Sequence, residues 1–162
     1  MTPPQPHHHI HNQIDAAVIH VFAIMLRQPC VPIAPAPTEP PTEVPTEAQP
    51  PDPGISATIL ISGALQGRCI VHLSTASSAR FTALLLGADT GCDQPIIDDA
   101  IRELCNMIAG GWKSRLGALA SACQISVPAI SHTAPPTLPD DPTVLRRLYA
   151  FAGSFLEVTL AL

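Results

Sequence analysis

The chain is poor in charge. Of its 162 residues only 13% are Asp, Glu, Lys or Arg, and Lys113 is its one lysine. Nucleic-acid binders need clustered Lys and Arg to neutralise phosphates, so that class of partner is excluded. Long apolar runs are missing too. No stretch approaches the ~18–20 apolar residues of a membrane span. The N-terminus, Met1-Thr2-Pro3-Pro4-Gln5-Pro6, has no basic region followed by an apolar run, so no signal peptide is read there. The expectation is a cytoplasmic protein with no membrane partner. Cys30, Cys69, Cys92, Cys105 and Cys123 are odd in number and contain no Cys-x-x-Cys. That argues against a disulfide framework or structural zinc and for reduced, mostly buried thiols.

What remains is apolar enough to fold, with 46% hydrophobic residues. A single domain over 1–162 is expected, with a disordered N-terminus at 1–9 and a proline-rich loop at 29–53. That loop holds ten of the nineteen prolines and reads as an extended, solvated spacer. It also carries Glu39, Glu43, Glu47 and Asp52, part of the net charge of −5. Elsewhere nine acids face eight bases, so the folded part is near neutral. His7, His8, His9 and His11 invite a metal reading, but adjacent histidines without fixed partners read better as a solvated cap. No metal site is expected.

Apolar spacing predicts a helix over 10–27, stopped by Pro29. Residues 31–34 offer a first strand, which Pro32 confines to an edge. Residues 55–62 and 66–73 read as a hairpin, with His72 structural within it. A helix over 75–86 has Ser74 or Thr75 as cap and Gly87 as stop. Pro95 introduces a long helix over 97–116, and residues 121–131 read as one strand made an edge or bulge by Pro128. A loop at 132–143 then leads to a closing hairpin, 144–151 and 155–162. The sum is an α+β fold: a mostly antiparallel sheet with helices packed on one face.

The long helix stands out. At 100° per residue, Asp99, Glu103, Asn106, Gly110 and Lys113 fall within about 40° of one line. Ile97, Leu104, Cys105, Ile108, Trp112 and Leu116 lie around the other side, so Cys105 and Trp112 are expected in the core. Glu103 and Asn106 sit side by side, three residues apart. A solvated face is the ordinary reading of such a row. This one is thin, and it contains a glycine that costs ~1 kcal/mol relative to Ala in mid-helix. Asp98 and Asp99 near the helix start also suit its dipole.

Glu103-Leu104-Cys105-Asn106-Met107-Ile108-Ala109-Gly110, with Asp99 four residues ahead and Ile125-Ser126-Val127-Pro128 beyond, resembles the CheX/CheC/FliY family of chemotaxis phosphatases, CheX most of all. The resemblance implies two α–β repeats forming one sheet, and a homodimer through sheet edges. It implies hydrolysis of the aspartyl phosphate of a CheY-type response regulator, whose own Mg²⁺ serves the chemistry, so no cofactor is expected in this chain. It assigns catalysis to Glu103 and Asn106. The first helix has no second Glu-x-x-Asn, so one site per chain is implied. Asn106 would orient the attacking water, because a carboxamide oxygen accepts from water while its NH₂ donates to a phosphoryl oxygen. Asp99, Gly110 and Lys113 are the expected docking positions. The alternative is a catalytically idle module of the same fold that binds or dimerises, with Trp112 projecting into the docking face.

Overall fold

The computed structural model describes residues 6–34, 52–88, 91–139 and 141–162. In chain order the elements are α1 (Pro6–Met25), β1 (Val31–Ile33), β2 (Ile55–Gly63), β3 (Gly67–Leu73), α2 (Thr75–Leu86) and α3 (Gln94–Ser114). A short 3₁₀ helix (Gly117–Ala122) leads to β4 (Cys123–Ile125), β5 (Ala129–Ser131), β6 (Val144–Phe151) and β7 (Ser154–Ala161). The described strands form one antiparallel sheet in the order β1-β6-β7-β3-β2-β4, with β5 also on β2.

Local chemistry sets the helix ends. Ser74 caps α2, its side chain accepting from the Ser77 N–H at 3.0 Å. Gly87 ends that helix at φ +62°, where a side chain is strained. In α3, Pro95 occupies the first turn, where its missing N–H has no intrahelical partner to lose.

Helices α1 and α3 pack on one another, and α3 lies over β2 and β3. The core runs from Ile14, Val18 and Phe22 of α1 through Leu104, Ile108 and Trp112 of α3 to the inward rows of the sheet. Those rows alternate as a half-buried strand must: Ile55, Ala57, Ile59 and Ile61 on β2, Leu156, Val158 and Leu160 on β7. Phe22, Phe81 and Phe151 tie α1, α2 and β6 together, with ring centroids 5.0–6.2 Å apart.

Three expectations need correction. The helix of α1 starts at Pro6 and includes His7–His9, so residues 6–9 are helical where disorder was expected. Pro6 suits the first turn as Pro95 does. Residues 1–5, and the side chains of His7–His9 and His11, lie outside the described residues. The strand expected over 121–131 is a 3₁₀ turn and two three-residue strands, interrupted at 126–128. Pro128 has no N–H to give the ladder, and the Ser126 hydroxyl accepts from the Leu60 N–H at 2.9 Å across the break. Finally, α3 begins at Gln94, and its first turn carries no acid. Asp98 and Asp99 therefore sit beyond the turn where the helix dipole acts.

The first strand is present. Val31–Ile33 pairs with β6 at the sheet edge, opposite Ala150, Tyr149 and Leu148. Of the proline-rich loop, residues 35–51 lie outside the described residues.

Candidate functional site

Every residue expected to line the site is on α3. Asp99, Glu103 and Asn106 are exposed, and Gly110 and Lys113 are partly exposed. From Asp99 to Lys113 the row spans about 21 Å of helix. Beneath it Ala100, Ile101, Leu104, Cys105, Ile108, Ala109 and Trp112 are buried. Alternation within the helix therefore fixes both faces: Leu104 and Cys105, between the two predicted catalytic residues, are core. The Cys105 thiol donates to the Ala57 carbonyl at 3.4 Å. Its side-chain hydrogen bond with the neighbouring Cys69, which favours the protonated thiol, and then burial hold its pKa well above the cysteine range. It is no nucleophile.

Trp112 does not reach the docking face. It is 0% exposed, and its Nε1–H donates to the Ile10 carbonyl at 3.0 Å. That bond pins α1 to the far end of α3 and leaves the outer face of α3 clear of indole.

The two glycines of the helix serve different ends. A Cβ at Gly111 would meet the Ala17 Cβ at 3.7 Å and the Arg115 guanidinium at 3.4 Å, so Gly111 belongs to the packing of α1 on α3. A Cβ at Gly110 would meet nothing within 4 Å. The described fold gives no reason for a glycine there. Removing its side chain leaves backbone open to something from outside.

Among the described residues, neither the Glu103 carboxylate nor the Asn106 carboxamide has a hydrogen-bond or ion-pair partner within the chain. Their neighbours do. Arg102 makes an i,i+3 ion pair with Asp99. Asp98 accepts from Gln94 at 2.8 Å and lies 3.1 Å from the His132 Nε2. Sequence reasoning missed Arg102 and His132. The Asp-x-x-Arg spacing is a signal for the first, but His132 reaches α3 only through the fold.

A family model, chemotaxis phosphatase CheX, matches residues 55–143, which include the whole of α3 and the strands on either side. The chain belongs to the CheX family. That membership gives its enzymatic class, a phosphatase of chemotaxis signalling. No curated protein sequence matches the chain. Solved CheX structures share its fold. Chemotaxis protein CheX from Vibrio vulnificus superposes with a TM-score of 0.72 at 15% identity, over 97% of this chain and 98% of that one. CheX from Desulfovibrio desulfuricans gives 0.71 at 18%, over 93% and 97%. CheX in the CheX–CheY–BeF₃–Mg²⁺ complex from Borrelia burgdorferi gives 0.69 at 16%, over 93% and 95%. The CheX fold thus includes α1 and the β6–β7 hairpin outside the matched segment. No described helix is long and apolar enough to cross a membrane.

Proposed function

We propose that this chain hydrolyses the aspartyl phosphate of a CheY-type response regulator, with the outer face of α3 inserted at the phosphorylated site. The observation that carries this reading is the pair Glu103 and Asn106: exposed, one turn apart, and unpartnered among the described residues on a helix whose other face is core. The like-folded Borrelia CheX occurs in a complex with CheY, which supports the choice of partner.

The division of labour follows from the groups. An acyl phosphate beside the regulator's own Mg²⁺ and lysine already has most of its charge compensated. What is missing is a water held in line with the scissile P–O bond. The Asn106 carboxamide accepts one hydrogen bond from that water and donates another to a phosphoryl oxygen, orienting it without acting as a strong base. Water adds to phosphorus, the aspartate carboxylate leaves, and inorganic phosphate is released. Glu103 pairs with the regulator's lysine and fixes the helix in its register. Gly110 admits the partner's backbone, and Lys113 and Asp99 border the same face. The chain itself needs no metal for these roles.

The test is phosphate release from a phosphorylated CheY-type regulator of the same organism. Acceleration by catalytic amounts of the wild-type chain is expected. No acceleration with any of those regulators would overturn the assignment. Gly110 gives an independent check. Gly110→Ala is expected to stabilise the fold by about 1 kcal/mol in denaturant titration, since the space is open and the helix gains. Gly110→Leu is expected to raise KM for the phosphorylated regulator about tenfold. An unchanged KM would show that nothing approaches the backbone there.

We also infer a homodimer formed through sheet edges, on the β1 side. Val31 of that edge strand is 56% exposed, and Leu148 on the neighbouring β6 is 41% exposed. Among the described residues β1 pairs with β6 alone, so this apolar pair lies beside an edge that a second sheet can extend. Val31→Asp is expected to shift the sedimentation coefficient from dimer to monomer. A wild-type monomer at micromolar concentration would remove this inference.

A further inference from the structure

The Asp99–Arg102 pair lies at the margin of the row, and it is unlike the rest of that face. On the helical projection Arg102 falls about 60° from the Asp99 line, on the side toward which Asn106 and Lys113 also lean, while Glu103 leans the other way. Arg102 is one turn from Asn106, about 6 Å along the axis. Its side chain is 42% exposed and that of Asp99 is 78% exposed. The next acid on this flank, Asp98, is already engaged by Gln94 and His132. A partner descending on Asn106 from this side therefore meets the Arg102 guanidinium, held by a carboxylate that is itself largely exposed.

We propose that Arg102 is a partner-contact residue, taking a carboxylate on the rim of the regulator's phosphorylation pocket, and that Asp99 is the intramolecular stand-in which that carboxylate displaces. The inference rests on the reading of α3 as the docking helix. Energetics favour the exchange. An exposed i,i+3 pair contributes little and is screened by salt. The same guanidinium on a carboxylate in a closed, partly dehydrated interface gains more, and its planar fork makes two parallel hydrogen bonds. One carboxylate on that rim, not engaged by the regulator's Mg²⁺, is what Arg102 requires. Arg102 sits too far along the helix to replace Asn106 over the phosphorus, so its effect falls on association and not on the chemical step.

The experiment compares wild type, Arg102→Gln and Asp99→Asn in two assays: phosphate release from the phosphorylated regulator, and direct binding of the regulator loaded with Mg²⁺ and BeF₃. Arg102→Gln is expected to raise KM and the dissociation constant about tenfold at low salt, with kcat changed less than twofold. It is also expected to flatten the rise of KM with salt that wild type shows. Asp99→Asn is expected to lower both constants about twofold, because it removes the competing carboxylate. A merely structural ion pair would instead make the two variants weaken binding alike, and that result overturns the proposal, as does a KM unchanged in Arg102→Gln. If wild type binds the loaded regulator but releases no phosphate, the phosphatase reading fails while the binding assay still decides Arg102. Absence of wild-type binding overturns both.

Discussion

Asn106→Ala is expected to lower kcat for the phosphorylated regulator by about 100-fold or more while leaving the folded domain unchanged. The size follows from what the carboxamide does. Holding water in line replaces an orientational search, and misplacement by about 1 Å is enough to cost on the order of 100-fold. The fold is spared because Asn106 is exposed and makes no intramolecular hydrogen bond among the described residues. Alanine is also the better helix former, so the melting temperature should not fall. Glu103 gives the contrast. Glu103→Lys sets a like charge against the regulator's lysine and should raise KM, with saturation recovering much of kcat. Stopped-flow phosphate release over a range of regulator concentrations separates the two. Equal turnover by wild type and Asn106→Ala would sink the water-positioning mechanism outright.

Trp112→Ala is expected to be the most destabilising single substitution on α3, at about 3–5 kcal/mol. Two losses add. The cavity left by a fully buried indole cannot close, because α1 and the sheet hold its walls. The Ile10 carbonyl also loses the donor that joins α1 to α3. Trp112→Phe separates them, keeping most of the volume and losing the hydrogen bond, and should cost less than half as much. Urea titration followed by far-UV circular dichroism measures both. A loss under about 1 kcal/mol for Trp112→Ala would mean that the indole is not the pin between the helices.

Much of this molecule is legible without coordinates because its signals are local. Ser74 and Gly87 bound α2 as capping chemistry requires, and the wheel of α3 separates Glu103 and Asn106 from Leu104, Cys105 and Trp112 just as burial does. What escaped is tertiary. The start of α1 at Pro6 was masked by three neighbouring prolines that suggest disorder. The split of β4 from β5 depends on Ser126 bonding to Leu60 on another strand. The outer face of the sheet is also partly roofed by residues 134–138, with Arg146 donating to the Leu138 carbonyl at 2.8 Å, which is why Ile70 is buried although it points away from the helices. Arg102 was visible as a residue but not as a docking group, because its place between Asp99 and Asn106 has meaning only once Asp98 is seen to be occupied.

Placing the site on α3 has a kinetic consequence. Helix α3 touches α1, α2 and the centre of the sheet, so it has no route to local opening that does not disrupt the core. Among the described residues the site stands on this one packed helix, so the roles proposed for Glu103 and Asn106 call for no movement within α3. A face preformed on α3 enters the encounter with its partner without an ordering cost. A weak, exposed Asp99–Arg102 pair at the rim is the kind of contact that lets such a complex form quickly and still come apart.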